Sequence, residues 1–260
     1  MKNLIKGILL FALAVSIAVP TAVLSAEISG KELAQKVFDR NRGQSSVSKA
    51  QMILVDKNEN KRKRHFTSKR VLADGLERQL IRFTSPADIE GTGFLTIEKQ
   101  GYETEQFLFL PALRRSRRIV TSQKSHRFVN SDFTYEDMER HPVDDYVYAI
   151  TGSRKIGSID CYVLETRPKE NVESQYALTV SMIAKESFVP VFVRYFDKSE
   201  THIKTYKVLK LDTVQNIWTE LMVSMEDRER NHKTYIKTDN ISYNTGLKPD
   251  DISKKTLENY

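Results

Sequence analysis

The side chains best able to do chemistry are scattered along this sequence, and their spacing argues for recognition rather than reaction. Five histidines stand apart at positions 65, 126, 141, 202 and 232. None has a second His, a Cys or a carboxylate at a recognised metal-ligand spacing. The chain carries no nucleophile elbow, P-loop or dinucleotide fingerprint, so neither a catalytic set nor a cofactor is expected. The acidic set Asp132, Glu136, Asp137, Glu139, Asp144 and Asp145 lacks the regular spacing of a calcium loop, and a solvated surface is its simpler reading. The strongest charge feature is Arg114-Arg115-Ser116-Arg117-Arg118. Guanidinium forks suit carboxylates, phosphates and carbonyls. In an extended segment Arg115 and Arg117 share one face, and Arg114, Ser116 and Arg118 the other, so both faces are basic. Three readings stay open: a solvated strand face, a contact with anionic lipid or a partner, and an anchor for a neighbouring loop.

Where these groups operate follows from the amino terminus. Lys2 and Lys6 precede a nearly continuous apolar run, Ile8–Val19, broken only by Ser16; Pro20 and small residues then lead to Ala26. This is the layout of a secretory signal peptide over residues 1–26, to be cleaved from a soluble periplasmic protein. The run is short for a membrane span, which needs roughly 20 apolar residues. Residues 27–260 suffice for a single domain with a sizeable core. Losing Lys2 and Lys6 lowers the net charge from +7 to +5. A basic exported protein meets anionic headgroups or envelope polymers rather than nucleic acid. The lone cysteine, Cys161, cannot form an internal disulfide and sits in a strand pattern, where it reads as a small core residue.

The elements that position these groups are mostly strands. Ser29 and Glu32 fit a capping box, and Leu33, Ala34, Val37 and Phe38 fall on one face of the helix that follows. That helix either docks on a sheet or plugs an opening in one. From Val47 the period changes to two. Lys49–Val55, Arg62–Leu72, Leu76–Phe83, Phe94–Glu98 and Glu103–Leu110 read as strands, and the chain restarts after Pro111 through Arg114–Val120. Lys61–Arg64 is basic on both strand faces and belongs at a rim. Asn130–Tyr148 breaks the pattern with a short capped helix through Met138 or Glu139 and is a candidate lid. Strand patterns resume from Tyr146 to Tyr243, and residues 247–257 form a last short helix. About a dozen closely spaced strands predict a large antiparallel sheet that must curl or close.

The central block resembles the outer-membrane lipoprotein-sorting protein family, the LolA/LolB-like lipid and lipoprotein carriers. The residues that carry the resemblance are Arg82-Phe83, Pro86-Ala87-Asp88, Gly91-Thr92-Gly93-Phe94-Leu95, Leu110 to Arg115 with Arg117-Arg118-Ile119, and Asp132-Phe133-Thr134-Tyr135-Glu136-Asp137. The resemblance implies a mainly β, α+β fold: a curved, incomplete antiparallel barrel of about eleven strands covering a few short helices. It implies a non-enzymatic carrier that holds lipid or lipoprotein acyl chains between sheet and helices and moves them between inner and outer membrane. An RND-type inner-membrane exporter and transient contact with the membrane surface are the partners it suggests. Phe83, Phe94, Leu95, Phe107, Phe109, Tyr135 and Met138 would then touch lipid, and Arg114, Arg115, Arg117 and Arg118 a partner or headgroup. The alternative is an adaptor subunit of an envelope transport complex whose cavity its own helices fill. One departure is visible: the family pattern places Gly-Thr just before Asp132-Phe133, where this chain reads Val129-Asn130-Ser131, so the turn into the lid is expected to differ.

Overall fold

Every stretch of period-2 sequence becomes a strand of one antiparallel sheet. The structure is a computed structural model that describes residues 28–259; the proposed signal segment, 1–26, lies outside them. The strands are β1 (Ser45–Val55), β2 (Lys61–Ala73), β3 (Leu76–Ser85), β4 (Gly93–Lys99), β5 (Tyr102–Leu110), β6 (Arg115–Ile119), β7 (Tyr146–Ile156), β8 (Ile159–Pro168), β9 (Leu178–Ala184), β10 (Pro190–Phe196), β11 (His202–Val214), β12 (Ile217–Asp227) and β13 (His232–Tyr243). Their order in space is β6-β5-β4-β3-β2-β1-β13-β12-β11-β10-β9-β8-β7. The sheet therefore has thirteen strands rather than about eleven, because even the short basic Arg115–Ile119 pairs fully with β5.

The topology explains the lid. β1 to β6 meander from the middle of the sheet to one edge, and β7 to β13 meander from the opposite edge back to β1. Residues 120–145 join the two edge strands, so this connection must cross a face of the sheet. It does so as a series of short 3₁₀ turns, including Glu136–Met138. The expected helix there is a single turn: Thr134 and Asp137 exchange the hydrogen bonds of a cap, at 2.7 and 3.4 Å, and Glu139 ends it in extended backbone at φ −100°, ψ 151°.

The two faces bury different material. On the inner face the lid residues Phe128, Phe133 and Tyr135 pack with Met52, Phe66, Phe83, Phe94 and Leu108. Phe94 lies 4.9 Å from Phe128 and 5.6 Å from Tyr135 between ring centroids. The same face, towards the other edge, receives α1 (Gly30–Phe38), whose Leu33 and Ala34 pack on Val143, Leu164 and Ile183. Its capping box forms as the sequence implies, with Glu32 N–H donating to Ser29 Oγ at 3.2 Å and Ser29 N–H to Glu32 at 2.8 Å. The outer face carries the C-terminal α2 (Lys254–Glu258), whose Leu257 packs with Ile252, Leu80, Leu95 and Phe109. Cys161 is fully buried in a separate outer cluster with Met182 and Val191.

The Gly91-Thr92-Gly93 motif has a steric cause. Gly91 takes φ +79°, which disfavours a side chain. A Cβ at Gly93 would sit 2.6 Å from both Arg82 Nη1 and Leu257 Cδ1. The missing side chain thus lets α2 close over the outer face, where Arg82 donates to the Leu257 carbonyl at 2.5 Å.

Candidate functional site

Between α1, the lid and the inner face of β8 to β13 lies a cavity of about 480 Å³. Its walls are mostly apolar. Val37 and Phe38 come from α1, Phe133 and Met138 from the lid, and Leu164, Ile183, Val193, Val223, Met225 and Ile236 from successive strands. These strand residues face one way because side chains alternate across the pleat and the register brings Leu164 opposite Ser181, and Val223 opposite Ile236. A second lobe of about 250 Å³ adjoins it, sharing Asp137, His141, Tyr148 and Tyr195 and adding Tyr146, Tyr176 and Leu178.

The polar groups in these walls are held in place rather than poised to react. Asp137 accepts from Lys204 Nζ and from the Tyr176 hydroxyl at 2.7 Å, and Lys204 also donates to Tyr176 at 2.6 Å. Burial, reinforced by the Asp137 charge, keeps the Tyr176 and Tyr195 phenols well above their ordinary pKa, so both stay neutral hydrogen-bonding groups. The Tyr148 phenol is pushed up to about 12 by burial and then by Asp145 and Asp144. The His141 imidazole is pushed below its ordinary value by burial, against the pull of Glu136 and Asp137. At the end of the cavity nearest the exit from α1, Arg40 pairs with Glu220 at 3.1 Å, Arg42 with Glu77 at 3.0 Å, and Arg140 with Glu98 at 3.4 Å. Burial is the main cause that raises the Glu98 carboxyl above its usual range.

The lid is clamped across the sheet by buried polar groups. Asp132 accepts from Thr234 Oγ1 at 2.7 Å, lies 2.7 Å from His232 Nδ1 and 3.3 Å from Arg230, and its own N–H donates to Thr234. Glu136 accepts from Ser174 Oγ and, at 3.1 Å, from Gln175 N–H. Gln106 donates to the Tyr135 carbonyl at 2.7 Å, and Arg64 to the Val129 carbonyl. The turn that feeds this segment places Val129 at φ +44° and Asn130 at φ +61°, both in the left-handed region where glycine is favoured.

The structure separates the seven candidate lipid contacts. Phe83, Phe94 and Tyr135 are buried in the packed aromatic cluster of the inner face. Leu95 and Phe109 face outward in the cluster beneath α2, and Phe107 packs against it. Met138 is the member of the set that lines the cavity. Of the arginines, Arg114 follows a 3₁₀ turn at φ +48° and stands exposed beside Arg115. Arg118 lies 3.7 Å from Glu105, and Arg117 reaches the Tyr135 hydroxyl. The cavity residues of β8 to β13, together with Arg40, Arg42 and Arg140, were not singled out from sequence. The clean alternation through Val223 and Met225 carries the signal for the strand contribution, but which of the two faces meets α1 is a tertiary fact.

Comparison with known proteins places this geometry. A family model, described as that of an uncharacterized protein, matches residues 75–259. No curated protein matches the sequence. The chain is 29% identical to a DUF1329 family protein from Desulfovibrio piger, with 88% of this chain and 97% of that one aligned at a TM-score of 0.83. It is 28% identical to a protein from Vibrio parahaemolyticus described as an outer membrane lipoprotein-sorting protein domain, covering 88% and 98% of the two chains, also at 0.83. A LolA superfamily protein from Nitrosomonas europaea shares the fold at a TM-score of 0.69 and 15% identity, covering 88% and 99%.

Proposed function

The chain belongs to the LolA-like, outer-membrane lipoprotein-sorting family, and from that premise we propose that it is a periplasmic carrier of lipid or lipoprotein acyl chains. The observation that carries the reading is the apolar cavity of about 480 Å³ under the lid. That volume lies within the roughly 300–1,000 Å³ of ligand pockets, and the second lobe of about 250 Å³ adjoins it. Burying an acyl chain of ~14 methylenes yields roughly 11 kcal/mol at about 0.8 kcal/mol each. Release therefore requires the walls to change, and the lid is the wall built from a connection rather than from the sheet. Function in this reading is binding and release, without chemistry on the cargo. An inner-membrane exporter of the RND type is the donor that the sequence resemblance suggests.

Native mass spectrometry of the mature protein, purified without detergent from its own periplasm and then extracted with organic solvent, tests the reading. The expected result is a discrete mass increment that extracts as lipid. An empty protein that also fails to take up a fluorescent fatty acid or phospholipid would overturn it. The adaptor reading has one observation in its favour: the β1 to β6 half of the inner face is filled by the protein's own aromatic side chains. An empty protein would favour it.

A further inference from the structure

We propose that the arginine end of the cavity is a headgroup pocket, selecting amphiphiles whose single chain ends in an acidic group, a phosphate or a carboxylate. The inference rests on the carrier reading and narrows its cargo.

The cavity is apolar over most of its wall, yet Arg40, Arg42 and Arg140 all line one end of it. They come from two connections, the exit from α1 and the end of the lid, which only the fold brings together. Charges at this end do not balance. Arg40, Arg42, Arg70 and Arg140 face Glu77, Glu98 and Glu220, four cations against three carboxylates. The other two acids on the wall are closed off by lysines, Asp137 by Lys204 and Glu139 by Lys124.

The pairing itself is crowded. One oxygen, Glu77 Oε2, serves Arg42 at 3.0 Å, Arg70 at 3.2 Å and Arg140 at 3.7 Å. Arg70 also donates to the Arg42 and Gly43 carbonyls and Arg140 also faces Glu98, whereas the ion pair of Arg42 is with this shared oxygen, which by itself cannot satisfy a guanidinium's five N–H donors. Arg42 is the most accessible of the three, with its side chain 31% exposed, and burial together with repulsion from Arg40 and Arg70 disfavours its charge despite Glu77. An incoming phosphate or carboxylate would supply the missing negative charge and accept in bidentate fashion. The chain would then run along Phe38, Val223 and Met225 under Met138.

The test uses titration calorimetry on the delipidated mature protein with three probes that share one palmitoyl chain: palmitate, palmitoyl lysophosphatidylglycerol and the uncharged monopalmitoylglycerol. Both acidic probes are expected to bind about tenfold or more tightly than the neutral one. Arg42→Gln should cut that preference to roughly threefold or less, in a protein whose melting temperature is checked alongside. Arg40→Gln serves in its place if Arg42→Gln does not fold. Equal affinity for all three probes would leave the carrier reading standing and overturn the headgroup pocket, as would a preference untouched by the substitution. Displacement of palmitoyl lysophosphatidylglycerol by inorganic phosphate at comparable concentration would overturn it too, marking a free-phosphate site. Failure of every probe to bind would sink the carrier reading itself and the pocket with it.

Discussion

Val129 holds a conformation that its side chain disfavours. A β-branched residue at φ +44° costs about 1–2 kcal/mol relative to glycine, and the lid begins there. The side chain recovers some of this by packing against the aromatic cluster. Truncation should separate the two effects: Val129→Gly is expected to be more stable than Val129→Ala by about 1 kcal/mol in chemical denaturation, the reverse of their usual order. If alanine proves the more stable, the turn is not strained. His141 gives a pH signature. Glu136, Asp137 and Asp145 favour its protonation and Lys124 opposes it, but burial dominates and lowers its pKa in the fold. The unfolded chain therefore binds this proton first as pH falls through about 6.5. Stability supplied by neutral His141 is present above that pH and lost below it. Unfolding curves across this range should show a larger loss in the wild type than in His141→Gln, where His202, also lowered by burial, still contributes; parallel curves would exclude His141 as a source. The departure at residues 129–131 was visible in the sequence, whereas the role of His141 was not, because a lone histidine carries no pattern.

At the scale of elements the lid is the part whose behaviour matters most. It is held by side chains rather than by strand pairing, chiefly through Asp132, Glu136 and Asp137. Removing one partner from a buried ionic cluster typically costs about 3–5 kcal/mol. Asp132→Ala is thus expected to lower the melting temperature and to speed amide exchange over residues 127–137, while the exchange of β1 and β13 stays slow. Unchanged lid protection would show that the aromatic packing alone holds the segment. The short capped turn within Asn130–Tyr148 was legible as a candidate lid, but what holds it was not. Residues of the lid bond to groups far along the chain, Asp132 to Thr234, Glu136 to Ser174 and Gln175, and Asp137 to Lys204, and no spacing rule encodes that. The helix α1, by contrast, was legible down to its cap, since a capping box and an apolar face are both local.

For the whole molecule, the two sheet edges and their surfaces decide how the protein meets other bodies. Next to β6, the exposed Arg114, Arg115 and Arg118 lie close to Leu113 and Val120, which are 55% and 50% exposed. Such a mixture suits an anionic membrane surface, where each basic residue contributes about 1 kcal/mol. Reversing Arg114, Arg115 and Arg118 to Glu, and leaving Arg117 to its contact with Tyr135, should weaken co-sedimentation with phosphatidylglycerol vesicles by about tenfold or more at low salt. Equal sedimentation of variant and wild type would leave these arginines as a solvated edge. The sequence by itself determined the antiparallel, strand-rich class, the first helix and the existence of a lid, because period-2 alternation, capping and turn chemistry act between near neighbours. Only the tertiary structure decided that Phe94 faces the lid while Leu95 faces α2, and that the cavity lies against β8 to β13. It alone brings Arg40, Arg42 and Arg140 to one wall. Those outcomes depend on β1 pairing with β13 and on the lid crossing from edge to edge, and such long-range closures leave no mark in local spacing.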